Sequence, residues 1–254
     1  MPSITFLGTG TSTGVPQIGC QCEVCRSKDP RDKRLRTSAL IETDNGGRIL
    51  IDCGPDFRQQ ALSVPFAQID AVLLTHEHYD HVGGLDDLRP FTFMKSMDIY
   101  AESMCAEHVK QRMPYCFVEH QYPGVPKISL HALRGDECLN ILGQSVRPIR
   151  VMHDRMPILG YRIGRMAYIT DMSRMADEEK VKIEGLDLLV VNALRKMYHH
   201  SHQTLQDALR LIDEVNPKQA YIVHMSHDMG LHAEVEGELP PHVHLAYDGL
   251  CVRY

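Results

Sequence analysis

The chain has 254 residues, of which 43% are hydrophobic and 24% are charged, and these proportions are typical of globular proteins. A chain of this length buries enough surface to fold without disulfides or metals. Its 27 Lys and Arg residues and 33 Asp and Glu residues give a formal net charge of −6, which excludes a generally basic nucleic-acid-coating protein. No apolar run approaches the roughly 18 residues of a membrane span, and residues 1–10 lack the features of a signal peptide. We therefore expect a cytoplasmic protein.

Short apolar segments separated by turn residues predict strands along most of the chain. Residues 38–43 and 48–52 are expected to form a hairpin across Asp44-Asn45-Gly46-Gly47. The basic segment at residues 27–36 is expected to be a solvated loop. The other predicted strands are residues 4–7, 71–75, 99–101, 145–151, 159–163, 167–170, 186–191 and 220–223.

Three segments predict helices. Apolar residues recur at helical spacing over residues 203–215, and Asn216-Pro217 is a stop signal. Residues 103–113 form a second predicted helix with Ser103 as its N-cap, and residues 84–93 form a shorter third. Many strands with interspersed helices, and polar groups where strands end, indicate a layered α/β sandwich.

Three of the eight cysteines are clustered, at Cys20, Cys22 and Cys25. In a reducing compartment, clustered thiols more often bind a metal than form a disulfide. One loop can present three thiolates to a tetrahedral ion, whose fourth ligand must come from elsewhere. A loop with chance cysteines is the alternative interpretation. The scattered remainder are expected to be small apolar fillers: Cys53, Cys105, Cys116, Cys138 and Cys251.

The strongest motif is His76-Glu77-His78-Tyr79-Asp80-His81, directly after the predicted strand at residues 71–75. Imidazole and carboxylate groups suit zinc, manganese and iron. The first two histidines are expected to point one way, and the last two groups to face a second ion. Further candidates stand where other predicted strands end, and together they complete two ions with one shared carboxylate: His153, Asp171 and His224.

With these motifs the chain resembles the metallo-β-lactamase superfamily. The resemblance covers nearly the whole chain and includes Gly8-Thr9-Gly10, residues 50–54 and Thr170-Asp171. It implies a four-layer αββα sandwich in a single domain over residues 1–254. It also implies the metal ligands: His76, His78 and His153 for one metal, Asp80, His81 and His224 for the other, and Asp171 as the bridge between them. Asp52 is implied to orient one of these ligands without itself binding a metal.

The segment from Gly8 to Pro16 is similar to the phosphodiesterase branch of that superfamily. Residues 14–25 further resemble the phosphoribosyl 1,2-cyclic phosphate phosphodiesterases of phosphonate breakdown. This subfamily implies a structural zinc in a small loop at about residues 14–36, held by Cys20, Cys22, Cys25 and His227. The branch also implies that His202 is the general acid, and we assign Asp80 as the second catalytic residue.

We expect a dinuclear metal-dependent phosphodiesterase acting on a small cyclic phosphodiester, with two Mn²⁺ or Zn²⁺ ions at the active site and one structural Zn²⁺. The alternatives are a nuclease similar to ribonuclease Z and a thioester hydrolase similar to glyoxalases. The sequence lacks the long Gly/Pro-rich arm with which ribonuclease Z grips tRNA, and the acidic net charge also disfavours nucleic acid. No membrane partner is expected, a homodimer is possible, and no substrate-contacting residue is predicted.

Overall fold

A computed structural model of the chain describes all 254 residues. Its first sheet has seven strands in the order β15-β1-β2-β3-β4-β5-β6. Strands β3 to β6 run parallel to one another, whereas β15, β1, β2 and β3 pair antiparallel. The strands of this sheet are β1 (Ser3–Gly8), β2 (Ser38–Glu42), β3 (Arg48–Ile51), β4 (Ala71–Leu73), β5 (Met97–Glu102), β6 (Ile128–Leu133) and β15 (Cys251–Arg253).

The second sheet has the order β11-β8-β9-β10-β12-β13-β14, with β7 paired to β8. Strands β10, β12, β13 and β14 run parallel, and β8, β9 and β10 pair antiparallel. Its strands are β7 (Leu139–Ile141), β8 (Gln144–His153), β9 (Met156–Ile163), β10 (Met166–Ile169), β11 (Arg174–Met175), β12 (Leu188–Asn192), β13 (Gln219–Val223) and β14 (Val243–Leu245).

The two sheets pack face to face, and helices cover both outer faces. One apolar cluster, which includes Phe6, Ile51 and Tyr161, lies between the sheets. Two further clusters lie between each sheet and its own helices. The predicted four-layer αββα sandwich is therefore confirmed. The α-helices are α1 (Glu23–Arg26), α2 (Phe57–Leu62), α3 (Tyr79–Val82), α4 (Ser103–Arg112), α5 (Asp177–Lys180), α6 (Leu205–Val215) and α7 (His232–Glu238).

Helix α6 shows how local sequence sets an element. Thr204 is its N-cap and forms a capping box with Asp207. The helix ends at Val215, before Asn216 in the left-handed conformation, as the sequence predicted. Its start was predicted two residues too early, at Gln203, whose buried amide instead donates a hydrogen bond to the Asn192 carbonyl at 2.7 Å. No helix in the structure combines the length and apolar character that a membrane crossing requires.

Two helix predictions were wrong in detail. Ser103 is not the N-cap of α4, because the helix begins at Ser103 itself and Glu102 occupies the cap position. The Ser103 hydroxyl donates to the Leu133 carbonyl at 3.2 Å. The predicted helix at residues 84–93 is a 3₁₀ helix over Leu85–Phe91, where Pro90 removes a backbone donor that an α-helix needs.

The fold brings several strand ends to one edge of the sandwich. Strands β3 and β4 run parallel in one sheet, and β10, β12 and β13 do so in the other. Because carboxyl ends of parallel strands share an edge, the residues after these strands converge. Three of them, Asp52, Asp171 and His224, have positive φ angles of 57–58°. Non-glycine residues rarely adopt this conformation, and it marks functional sites.

Candidate metal centre

The structure gathers the seven predicted ligands into two adjacent clusters. His76, His78 and His153 form one cluster, and in each cluster the candidate ligand atoms lie within 4.8 Å of one another. His76 and His78 follow β4, whereas His153 is the last residue of β8 and not, as predicted, a residue beyond the strand. The second cluster consists of Asp80, His81, Asp171 and His224.

In the first cluster the imidazole nitrogens converge. Nε2 of His76 lies 3.1 Å from Nδ1 of His78, close to the spacing of two nitrogens that each lie roughly 2.0–2.1 Å from a shared zinc ion. Nδ1 of His153 lies 2.9 Å from the Asp171 carbonyl oxygen and 3.0 Å from that of Ser201. Its N–H is therefore donated to the backbone, which leaves Nε2 free as a ligand.

The second cluster is organised around Asp171. Its Oδ1 lies 3.0 Å from Nε2 of His224, and its Oδ2 lies 3.3 Å from Nε2 of His81. Asp80 Oδ2 is 3.2 Å from the same His81 nitrogen. Asp171 also lies within 4.8 Å of His153 through its ligand atoms. This carboxylate therefore stands between the two clusters, where the predicted bridge must be.

These side chains fit divalent metal ions. The buried Nε2 atoms of His81 and His224 have no hydrogen-bond partner, although carboxylate oxygens lie within 3.3 Å of both. Ring nitrogens and carboxylate oxygens that converge without hydrogen-bond geometry are the arrangement a cation completes. Burial lowers the pKa of His224, but the Asp171 carboxylate outweighs it and raises that pKa to about 9. This negative potential attracts a cation.

The histidines of the first cluster are held in the neutral form that binds metals. Burial, followed by the charge of His81, lowers the pKa of His76 well below its usual value. Burial and then His153 lower the pKa of His78. Neutral imidazole is the ligand form of histidine. His78 is exposed while His76 is buried, so the cluster opens to solvent at His78.

Asp52 lies behind the second cluster and is fully buried. Its Oδ2 accepts a hydrogen bond from His81 Nδ1 at 2.7 Å, and its two oxygens also accept from the amide and hydroxyl of Thr75. This fixes the His81 ring so that Nε2 faces the cluster. Gly54 permits the arrangement, because a Cβ there would lie 2.0 Å from the Asp80 carbonyl oxygen.

His202, the predicted acid, lies beside both clusters. Its ring centroid is 4.7 Å from that of His153 and 4.9 Å from that of His224, and its Nδ1 is 3.9 Å from Asp171 Oδ1. Burial, followed by the charge of His224, lowers its pKa to about 3, so the ring is neutral in the free protein. His199 is half-buried beside it and His200 is exposed.

The predicted structural site is also assembled in space. Nδ1 of His227 lies 3.2 Å from the Cys22 sulfur and 3.5 Å from the Cys20 sulfur, and Cys25 completes the group. The Cys25 amide and then the His227 ring lower the pKa of Cys22 to about 6. Burial raises the pKa of Cys25 to about 11. A soft, partly ionised Cys₃His set is typical of structural zinc.

One part of the zinc loop was predicted wrongly. Within the supposedly solvated segment at residues 27–36, Arg34 and Asp32 are each only 1% exposed. Arg34 donates to the Ser226 carbonyl at 3.0 Å, and Asp32 accepts from the His232 amide at 2.8 Å. Ser226 lies between His224 of the second cluster and His227 of the cysteine site, so this buried pair ties the cysteine loop to the segment that contributes to both sites. The polar sequence alone gives no signal of this burial.

Fold and site together define a metal-dependent hydrolase with an αββα sandwich. The sequence model of the Beta-lactamase superfamily domain matches residues 47–225. The crystal structure of a diphosphatase from the PhnP family superposes with a TM-score of 0.92 and 38% sequence identity, over 99% of this chain and 96% of that one. The chain belongs to the Beta-lactamase superfamily, which confirms the predicted family and its class of metal-dependent hydrolases.

Two further relatives extend the comparison. An octanoyltransferase from Porphyromonas gingivalis is 49% identical over 246 residues, which are 96% of this chain but 50% of that protein. The chain thus spans half the length of that relative, and the octanoyltransferase name belongs to a protein twice as long. Zn²⁺-bound PqqB from Methylobacterium extorquens superposes with a TM-score of 0.81 at 22% identity, over 99% of this chain and 100% of PqqB. At this level of identity, the similarity to PqqB shows a shared fold only.

Proposed function

We propose that the protein is a dinuclear metal-dependent hydrolase of small phosphoric esters. One observation carries the proposal: Asp171 stands between two clusters of metal-competent side chains, and a neutral histidine, His202, lies within 3.9 Å of it. Paired ions are typical of enzymes that displace groups at phosphorus. We assign Mn²⁺ or Zn²⁺ to the two clusters and Zn²⁺ to the cysteine site.

The chain's own residues have distinct tasks in this proposal. His76, His78 and His153 would hold one ion, Asp80, His81 and His224 would hold the other, and Asp171 would be shared between them. When bound, such ions supply a water of lowered pKa and neutralise the charge on phosphoryl oxygens. Asp52 keeps the His81 ring in place through the 2.7 Å hydrogen bond.

Asp80 and His202 are the proposed catalytic pair. Burial raises the pKa of Asp80, but His81 and His224 outweigh it and hold the pKa below its usual range, so Asp80 is a carboxylate at neutral pH. His202 would give a proton to the leaving oxygen. Its ring is neutral in the free protein, and the negative charge of a bound phosphate favours its protonation. Substrate binding therefore prepares the acid.

The proposed substrate is a small cyclic phosphodiester such as phosphoribosyl 1,2-cyclic phosphate. Residues 14–25 support it, because they resemble the enzymes that act on this compound. A diphosphate is the second candidate, supported by the diphosphatase that is 38% identical to this chain. Hydrolysis of either compound begins with attack on phosphorus, and in both the negative charge on the phosphoryl oxygens must be neutralised. We further propose a cytoplasmic location, and a homodimer remains an expectation.

A substrate panel tests this function. The metal-loaded protein is assayed with phosphoribosyl 1,2-cyclic phosphate, a nucleoside diphosphate ester, a tRNA precursor and S-lactoylglutathione, alongside an Asp171→Asn variant as the inactive control. We expect turnover of one or both small phosphate compounds that the variant lacks. Turnover of the tRNA precursor alone would favour the nuclease, and turnover of the thioester alone would favour the glyoxalase-like activity. Either result would overturn the proposal.

A further inference from the structure

A small cavity adjoins the metal-binding loop and has no role in the chemistry above. It encloses about 180 Å³ between α3, the 3₁₀ helix after it and the end of α4. The pockets that bury whole drug-sized ligands are roughly 300–1,000 Å³, so this cavity suits one ring of a larger molecule. Its polar and aromatic lining residues are Tyr79, Asp86, Arg112 and Tyr115.

Tyr79 provides one wall. It lies between the predicted ligands His78 and Asp80 in the sequence, so its Cα is about 3.8 Å from the Cα of each. Its side chain is 62% exposed, yet its ring is fixed against Gly83, where a Cβ would lie 2.7 Å from Cζ of the tyrosine. The backbone therefore supports one side of the ring, while most of the side chain faces solvent.

Tyr115 provides a second aromatic side chain, held by hydrogen bonding. Its hydroxyl donates to Oδ1 of Asp86 at 2.9 Å. The same carboxylate accepts from Nε and Nη2 of Arg89. Asp86 thus has its own cationic partner and does not neutralise Arg112. The cavity has two positioned aromatic groups and an acceptor that is already engaged.

Arg112 is a positively charged residue of the cavity that has no partner within the protein. It is exposed at the end of α4 and takes part in none of the ion pairs or side-chain hydrogen bonds of this structure. Some exposed arginines of this chain are paired, as Arg89 is with Asp86, and others are unpaired, as Arg58 is, so the position of Arg112 at the cavity is what distinguishes it. A guanidinium has five N–H donors, so Arg112 offers a ligand hydrogen bonds beside the aromatic groups.

We propose that this cavity binds the nucleobase of a nucleotide substrate whose phosphate lies at the metal centre. A base presents a flat face for Tyr79 and ring acceptors for Arg112. The inference rests on the proposed hydrolysis of small phosphoric esters and favours, within that class, substrates that carry a base over the base-free phosphoribosyl 1,2-cyclic phosphate. The substrate class is thus a nucleoside cyclic phosphate or a nucleoside diphosphate derivative.

The chain contains no tryptophan, and this allows a direct binding test. A Tyr79→Trp variant carries a single indole at the cavity, and its fluorescence is titrated with α,β-methylene-ADP, which cannot be cleaved at the anhydride. We expect saturable quenching, and weaker binding by roughly tenfold or more when Arg112→Ala is added, since a guanidinium contact to a base is lost. Ribose 5-phosphate should not quench. Arg58, an exposed arginine with no ion pair at another surface, gives the matched control Arg58→Ala.

Steady-state kinetics provide a second test of the proposed nucleobase site. Tyr79→Ala should raise KM for a nucleoside cyclic phosphate much more than KM for a base-free cyclic phosphodiester, whereas Tyr79→Phe retains the ring and should rescue the loss. Tyr122→Ala, which removes a tyrosine that is 78% exposed and outside the cavity, controls for a general surface effect. Absence of quenching, or stronger quenching by octyl phosphate than by the nucleotide, would overturn the nucleobase assignment. Failure of the whole substrate panel would instead overturn the proposed function.

Discussion

Nδ1 of His81 donates to Oδ2 of Asp52 across 2.7 Å, and both side chains are fully buried. The pairing leaves Nε2 of His81 as the ring nitrogen that faces Asp80 and Asp171. A partner of this kind fixes the tautomer and the ring direction of a ligand without touching the ion. We therefore expect the strength of metal binding to depend on Asp52, which lies on the far side of His81 from the cluster.

Asp52→Asn tests this dependence. The two oxygens of Asp52 accept hydrogen bonds from His81 Nδ1 and from the amide and hydroxyl of Thr75. Asparagine replaces one of these oxygens by an NH₂ group, which cannot accept. We therefore expect metal affinity, measured by competition with a chelator, to fall by roughly 10–100-fold. Asp98→Asn is the matched control, because Asp98 pairs with His131 at 2.8 Å on the exposed surface. Equal changes in both variants would show that Asp52 has no special role.

Asp171 variants test the bridge. Asp171→Asn keeps a side chain that tolerates the positive φ of this position, whereas Asp171→Ala removes all contacts to His81 and His224. Both should keep the fold, because the apolar clusters do not include Asp171, and both should lose most activity. The measurement is turnover in excess metal together with circular dichroism. Activity within about tenfold of wild type would mean that Asp171 is not shared.

His202→Ala tests the proposed acid through the leaving group. General acids contribute roughly 10²–10⁴-fold, so turnover of an alkyl or ribose phosphodiester should fall on that scale. p-Nitrophenolate leaves without a proton, and bis-p-nitrophenyl phosphate should therefore lose far less. His200→Ala, at the neighbouring exposed position, is the control. Equal losses on both substrates would assign His202 to positioning.

Cys22→Ser tests the structural site. Cys22 is the N-cap of α1 and accepts from the Cys25 amide, and serine is a good N-cap residue. Any loss of stability therefore reports the thiolate ligand and not the cap. A loss of about 2 kcal/mol would lower Tm by roughly 4–8 °C in a chain of this size, with bound zinc lost and turnover per folded molecule nearly intact. Cys138→Ser, at an exposed free cysteine, should change none of these, and a Cys22→Ser protein with full zinc and unchanged Tm would contradict the assignment.

Asp248 should make stability depend on pH. Burial raises its pKa from 3.8 to about 7, even though it accepts hydrogen bonds from Thr9 and Leu35. The folded protein thus holds this proton more tightly than the unfolded chain. Its contribution to stability is fully present below about pH 4 and is lost as the pH rises through 7. The free energy of unfolding should fall less over this range in Asp248→Asn than in wild type or in the exposed control Asp213→Asn. Parallel curves would exclude Asp248 as the source.

The sequence predicted those parts of the fold that local signals specify. The hairpin of β2 and β3 formed across residues 44–47 as expected, because apolar segments flank a glycine-containing turn. Strands β6, β7, β11, β14 and β15 were not predicted. Strand β15 is only three residues long, which is too short for its alternating burial to be recognised from sequence, and its antiparallel pairing with β1 joins distant parts of the chain.

The metal-binding residues of the candidate site were predictable from the sequence, because each follows directly after, or lies close to the end of, an apolar segment. His76 and His224 are examples. Arg34 and Asp32 were not predictable as buried, because their partners Ser226 and His232 lie about two hundred residues away in the sequence. The cavity beside Tyr79 likewise depends on how α4 packs near α3, which no local pattern encodes.

We propose that the chain holds a pair of ions beside Asp171 and a separate ion at the cysteine loop. Anomalous diffraction from crystals of the metal-loaded protein, recorded at the zinc and manganese edges, measures this directly. We predict two peaks on either side of the Asp171 carboxylate and a third, at the zinc edge, among Cys20, Cys22, Cys25 and His227. A single peak at the histidine clusters, or no peak among the cysteines, would contradict the account.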